Sequence, residues 1–178
     1  MLTDDQKQAL LRLARHTVEA VTRGDLPPPP DDLNGALRER CGVFVTLKRG
    51  GHLRGCIGLV EGIRPLVDGV VEMARASALE DPRFPPVGPH EVPDLQIEIS
   101  VLSPLERVRD VGEIEVGTHG LVIRKGFYSG LLLPQVATEW GWDRLEFLQQ
   151  TCLKAGLDRN AWREGAEIYR FAAEVFGE

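Results

Sequence analysis

The stretch HLRGCIGLVEGIRPL, His52 to Leu66, sets a guanidinium and a thiol among residues that otherwise read as a buried strand. The thiolate is the nucleophilic form of cysteine, and a neighbouring cation favours it. Period-two alternation puts Leu53, Gly55, Ile57 and Leu59 on one face and His52, Arg54, Cys56 and Gly58 on the other. Arg54 and Cys56 are then expected to project together, about 6–7 Å apart at a rise of about 3.3 Å per residue. In that arrangement Arg54 lowers the pKa of Cys56 and binds an anionic group, while Gly55 and Gly58 let a ligand or a second backbone approach closely. His52 is about 13 Å from Cys56 by the same arithmetic, too far to act as its base. The same residues also fit plain packing, because free cysteine is often a small buried hydrophobe and strand glycines often mark bulges.

Other groups able to do chemistry lie further along. The segment DPRFPPVGPHEVPDL, from Asp81 to Leu95, is too rich in proline for regular structure, and long loops of this kind often carry function. Asp81, Arg83 and His90 are its reactive members. Packing offers an alternative here too, with Phe84 anchored in the core and Asp81 capping a turn. Glu98, on the strand LQIEISVLSP, can meet Arg54 if the two strands are neighbours. Glu98, His90 and His119 are the candidate proton carriers. The histidines at 16, 52, 90 and 119 have no metal-ligand spacing, and no phosphate-cradling glycine loop occurs, so no metal or cofactor is assigned.

These residues need elements to position them. Thr3 followed by Gln6 is a capping box that opens a helix with Leu10, Leu13, Ala14, Thr17, Val18 and Val21 on one stripe, ending at Gly24. DLPPPPDD is a stiff extended spacer. GVFVTLK alternates as a strand, and KRGGH supplies the turn of a hairpin whose return strand is LRGCIG. A crossover helix follows with Leu66, Val70, Met73, Ala74 and Ser77 on one stripe. Short strands separated by glycine turns, a helix from Asp143 to Gly156 and a last segment AEIYRFAAEVF, which alternates as a strand with a helix as the alternative, complete the chain.

A net charge of -6 over 178 residues disfavours a phosphate backbone as partner. No apolar run approaches the roughly 18 residues of a membrane span, so no membrane role is expected. The three cysteines, Cys41, Cys56 and Cys152, are an odd number without close spacing, which suits a reducing compartment and leads to an expected cytoplasmic location.

Five blocks in order, GVFVTLKRGGHLRGCIG, DPRFPPV, IEISVLSP, GLLLPQVATEWGWD and FLQQTCLKAGL, resemble the AMMECR-type domain, called AmmeMemoRadiSam system protein A in bacteria. The family signature falls on LRGCIG, Leu53 to Gly58, without departure. The resemblance implies an α+β fold, an antiparallel sheet flanked by helices, with a smaller lobe that we place within about residues 60–95 of a single domain. It also implies two partners, a Memo-like protein and a radical S-adenosylmethionine (radical SAM) protein, and no particular reaction. Two functions stay open. One is an enzyme or enzyme component using Cys56, Arg54 and Glu98 on a small or anionic substrate. The other is a non-catalytic module that binds or scaffolds those partners.

Overall fold

The computed structural model describes residues 2–29 and 35–178; part of the proline-rich spacer lies outside the described residues. The fold is α+β with an antiparallel sheet, and the chain divides into two compact units. The first comprises Met1–Leu102 with Glu174–Glu178, and the second Ser103–Ala173. Residues 60–95 belong wholly to the first unit, which their helix and loop help to build.

In the first unit, α1 (Asp4–Thr22) starts at a capping box, with Thr3 accepting from the Gln6 amide and Gln6 answering to Thr3. β1 (Gly42–Arg49) and β2 (His52–Leu59) form the expected hairpin around Gly50 and Gly51. Both turn glycines have positive φ, at 57° and 79°, as a two-residue turn between twisted strands requires. β3 (Leu95–Leu102) runs antiparallel to β1 on its other side, so β2 is the edge strand. α1 and α2 (Leu66–Leu79) cover one face of this sheet. Leu10, Ala14 and Val18 meet Val70, Met73 and Ala74 over Val43, Val45, Leu47, Ile97 and Ile99.

In the second unit, β4 (Glu106–Arg107) and β5 (His119–Lys125) pair with opposite sides of β7 (Glu167–Gly177), and β6 (Tyr128–Leu132) lies outside β5. α3 (Pro134–Glu139) and α4 (Arg144–Lys154) complete it around Leu121, Ile123, Phe147, Leu148 and Ile168. Asp143 caps α4 by accepting from the Glu146 amide, and Gly156 follows with φ of 76°. No helix among the described residues is long and apolar enough to cross a membrane.

Two features of α2 hold β2 in place. A Cβ at Gly55 would overlap the carbonyl oxygen of Ser77, so only glycine lets the helix backbone come this near. The buried Ser77 hydroxyl accepts from the Ile57 amide at 2.8 Å and donates to the Val45 carbonyl at 2.7 Å, bridging a facing pair of the β1–β2 ladder. Gly55→Ala is therefore expected to lower stability by about 1–3 kcal/mol through overpacking. Ser77→Ala is expected to lower it by a similar amount, about 1–3 kcal/mol, through two buried groups left unpaired. Chemical denaturation of both variants checks this; unchanged midpoints would contradict the tight approach.

Candidate functional site

The strand LRGCIG is not regular. Leu47 pairs with Gly55 but Lys48 pairs with Leu53, so Arg54 is the extra residue of a β-bulge. The bulge resets the alternation. Leu53 joins Cys56 on the face shared with Thr46 and Lys48, away from α1 and α2, and is 41% exposed rather than in the core.

Arg54 leaves the ladder and turns into the proline-rich loop. Its Nε and Nη2 donate to the two carboxylate oxygens of Glu91 at 3.0 and 3.1 Å. Its Nη1 donates to the Pro85 carbonyl at 2.9 Å. This is a bidentate, charge-assisted pair of the kind that fixes geometry. Glu91 also accepts from the Gly88 amide at 2.9 Å. The Arg54 guanidinium and then the Gly88 amide carry the Glu91 carboxyl from an ordinary 4.5 down to about 2.

Asp81 closes the other end of the loop on the strand. Its buried carboxylate accepts from the Cys56 amide at 2.9 Å, from the Arg83 amide at 3.1 Å, and from Arg83 Nε and Nη2 at 3.0 and 2.7 Å. Four donors fill the acceptor capacity of a carboxylate. The Arg83 guanidinium, despite the opposing effect of burial, holds this carboxyl well below the usual range. Arg83 Nη2 in turn donates to the Cys56 carbonyl at 3.2 Å. The two side chains thus supply, at the open edge of β2, the acceptor and the donor that a further strand would have supplied to Cys56. Phe84 lies between the two arginines, its ring centroid 6.0 Å from the Arg54 carbon and 5.6 Å from that of Arg83. The core anchors of the loop are Val87 and Val92 rather than Phe84.

The Cys56 thiol sits 3.2 Å from the Thr46 hydroxyl. Register extends this row to Glu98, which opposes Thr46 on β3. Lys48 donates to Glu98 at 2.9 Å, so the partner of Glu98 is Lys48 and not Arg54. Burial pushes the Cys56 thiol above its ordinary value. Thr46 and Arg83 oppose this, while the Asp81 and Glu98 charges add to it. Arg54, the cation expected to act on the sulfur, is instead paired with Glu91.

The remaining sequence candidates fall into place by geometry. Gly55 admits α2, and Gly58 lies under the Phe44 ring, so both serve packing. His90 is exposed at the loop tip beside Gly88. His119 belongs to the second unit, where its Nδ1 accepts from the Glu115 amide at 3.0 Å. The structure thus brings together Cys56, Asp81 and Arg83 on one side and Arg54 with the loop on the other. Sequence reasoning missed Thr46, Lys48, Ser77 and Glu91. Thr46 and Lys48 were legible as the outward positions of β1 facing Cys56 and Glu98. Glu91 was not, since its partner depends on the bulge. No group of three or more His, Cys, Asp or Glu placed to hold a metal occurs among the described residues.

The α+β fold and the sequence belong to a known class. The AMMECR1 family model matches residues 11–176, and the chain is a member of that family. It is 48% identical over 189 residues to a protein of Thermococcus gammatolerans, covering 99% of this chain and 92% of that one. It is 46% identical over 185 residues to a protein of Methanothermobacter thermautotrophicus, covering 99% and 96%. The crystal structure of the uncharacterized protein PH0010 from Pyrococcus horikoshii superposes with a TM-score of 0.94 at 46% identity, covering 99% and 93%.

The depressed Glu91 carboxyl has a consequence for acid stability. A carboxylate whose pKa is lower in the folded than in the unfolded chain contributes stability that is present above the unfolded value and lost as pH falls through the folded one. Thermal melts should therefore decline between about pH 4.5 and about pH 2 as Glu91 takes up its proton. Glu91→Gln should melt lower at pH 7 and decline less over that range. Parallel profiles for the two proteins would contradict the assigned role of Glu91.

Proposed function

We propose that this chain is a binding module, acting in the cytoplasm, that presents the LRGCIG face to a protein partner and keeps the Cys56 thiol protonated. The observation that carries this reading is the environment of the sulfur. Burial and two carboxylates disfavour the thiolate, and Arg54, the cation expected to favour it, is engaged by Glu91. A thiol held this way donates or accepts a weak hydrogen bond but is a poor nucleophile at neutral pH.

The surroundings suit contact. Exposed Leu53 and the Lys48–Glu98 ion pair share the face with Cys56, giving an apolar anchor beside charged groups of both signs. The backbone beneath is fixed by Asp81 and Arg83, so little order is lost on docking. The partners we propose are the Memo-like protein and the radical SAM protein implied by the family resemblance.

A second reading keeps Cys56 as the nucleophile of an enzyme or enzyme component acting on a small or anionic substrate, with Glu98 handling protons. It draws support from Cys56 being half-buried rather than enclosed, and from its row with Thr46 and Glu98.

Replacing Cys56 with Ser separates the two. The module reading expects Cys56→Ser to bind the purified Memo-like or radical SAM protein within about twofold of wild type, and to support the system's output. Leu53→Asp and Lys48→Glu should each weaken that binding by about tenfold or more, equal to about 1.4 kcal/mol. Calorimetric titration reads the affinities. Retained binding with abolished output in Cys56→Ser would overturn the module reading in favour of the enzyme.

A further inference from the structure

In the second unit the strand order β4-β7-β5-β6 leaves β6 at an edge. Its register pairs Lys125 with Tyr128, Ile123 with Gly130 and Leu121 with Leu132, around the two-residue turn Gly126-Phe127. Such a turn closes on a hydrogen-bonded pair, and bonded and non-bonded pairs alternate from there. Tyr128, Gly130 and Leu132 therefore direct their N–H and C=O groups to β5. Those of Ser129 and Leu131 point to the open side, where no hydrogen bond among the described residues takes them up.

Edge strands normally carry a lysine, a proline, a bulge or a covering segment that prevents further pairing. The run YSGLLL, residues 128–133, has no charge and no proline, and its register against β5 shows no shift. Apolar surface stands beside it. Tyr128 is 58% exposed, and so is 45% of Leu153 in the last turn of α4. That turn lies directly against the strand, since a Cβ at Gly130 would overlap the backbone of Ala155.

We infer that β6 is a docking edge for a second copy of this chain, paired antiparallel with its own counterpart about a two-fold axis at Gly130. In this register the strand is complementary to itself. With Gly130 opposite Gly130, Ser129 of each copy faces Leu131 of the other, and these are the two residues whose N–H and C=O groups point outward. Four hydrogen bonds form and none of those groups is left over. Tyr128 meets Leu132 of the other copy, and fully exposed Phe127 meets Leu133, so apolar side chains face apolar side chains and no like charges oppose. An isologous contact of this kind closes on itself as a dimer. Five residues a side fall short of the roughly 800 Å² per partner of a standard interface, so the dimer forms with a Kd in the micromolar range or weaker.

Sedimentation of the full chain over about 1 μM to 1 mM tests this, spanning the affinities expected for so small an interface. The mass should rise from one chain towards two. Ser129→Pro and Leu131→Pro remove only outward N–H groups, which edge strands tolerate, so both should melt like wild type and stay at the mass of one chain. A one-chain mass for wild type throughout the range would overturn the inference, as would undiminished dimers in both proline variants. Should the variants not fold, amide exchange on wild type decides. Protection at Ser129 and Leu131 that grows with concentration, while that of Gly130 stays constant, supports β6 pairing; fast, concentration-independent exchange at both refutes it.

Discussion

The edge of β2 at Cys56 is the point on which the candidate site depends. An edge residue has an N–H and a C=O that face outward, and here one carboxylate and one guanidinium occupy both. Asp81 and Arg83 are also bonded to each other, so the clamp is a closed ring of charge-assisted contacts rather than two separate ones. It fixes the backbone of Cys56, and through it the position of the sulfur beside Thr46. It also blocks the edge at this residue, which protects β2 from pairing with another chain.

The clamp depends on what lies behind the strand. Gly55 lets α2 come close enough for the Ser77 hydroxyl to bridge Ile57 and Val45, and the chain leaving α2 then delivers Asp81 to the edge. At the bulge, Arg54 ties the far end of the same loop through Glu91. Phe84 lies between the two guanidiniums, so the loop is held at both ends and stacked in the middle. The electrostatic consequence runs opposite to activation. Each arginine is paired with a carboxylate of its own, and burial is the largest influence on the thiol, opposed by Thr46 and Arg83.

Much of this fold was legible from local rules. The capping box at Thr3, the glycine turn at Gly50 and Gly51, the Asp143 cap and the last strand all rest on contacts between residues near in sequence or on simple alternation. The loop at residues 81–95 is irregular, as its prolines require, and belongs to the first unit. The site was legible in part. Period two put Cys56 on the face opposite Gly55 and Ile57, but it fails where a ladder bulges, and LRGCIG bulges at Arg54. That one extra residue moves Leu53 out of the core and sends Arg54 to Glu91 instead of towards the thiol. Asp81 and Arg83 were recognised as able groups, but their action on the Cys56 backbone follows from a helix packing that no spacing reveals.

The state of the Cys56 sulfur decides most directly whether this account holds. Its titration can be followed through the Cys56 Cβ chemical shift in wild type and in Arg54→Gln. The account expects a midpoint above the ordinary thiol value of about 8.5, unchanged by the Arg54 substitution. A midpoint below pH 7 that rises in Arg54→Gln would contradict it, and would restore Arg54 as the group that activates the thiol.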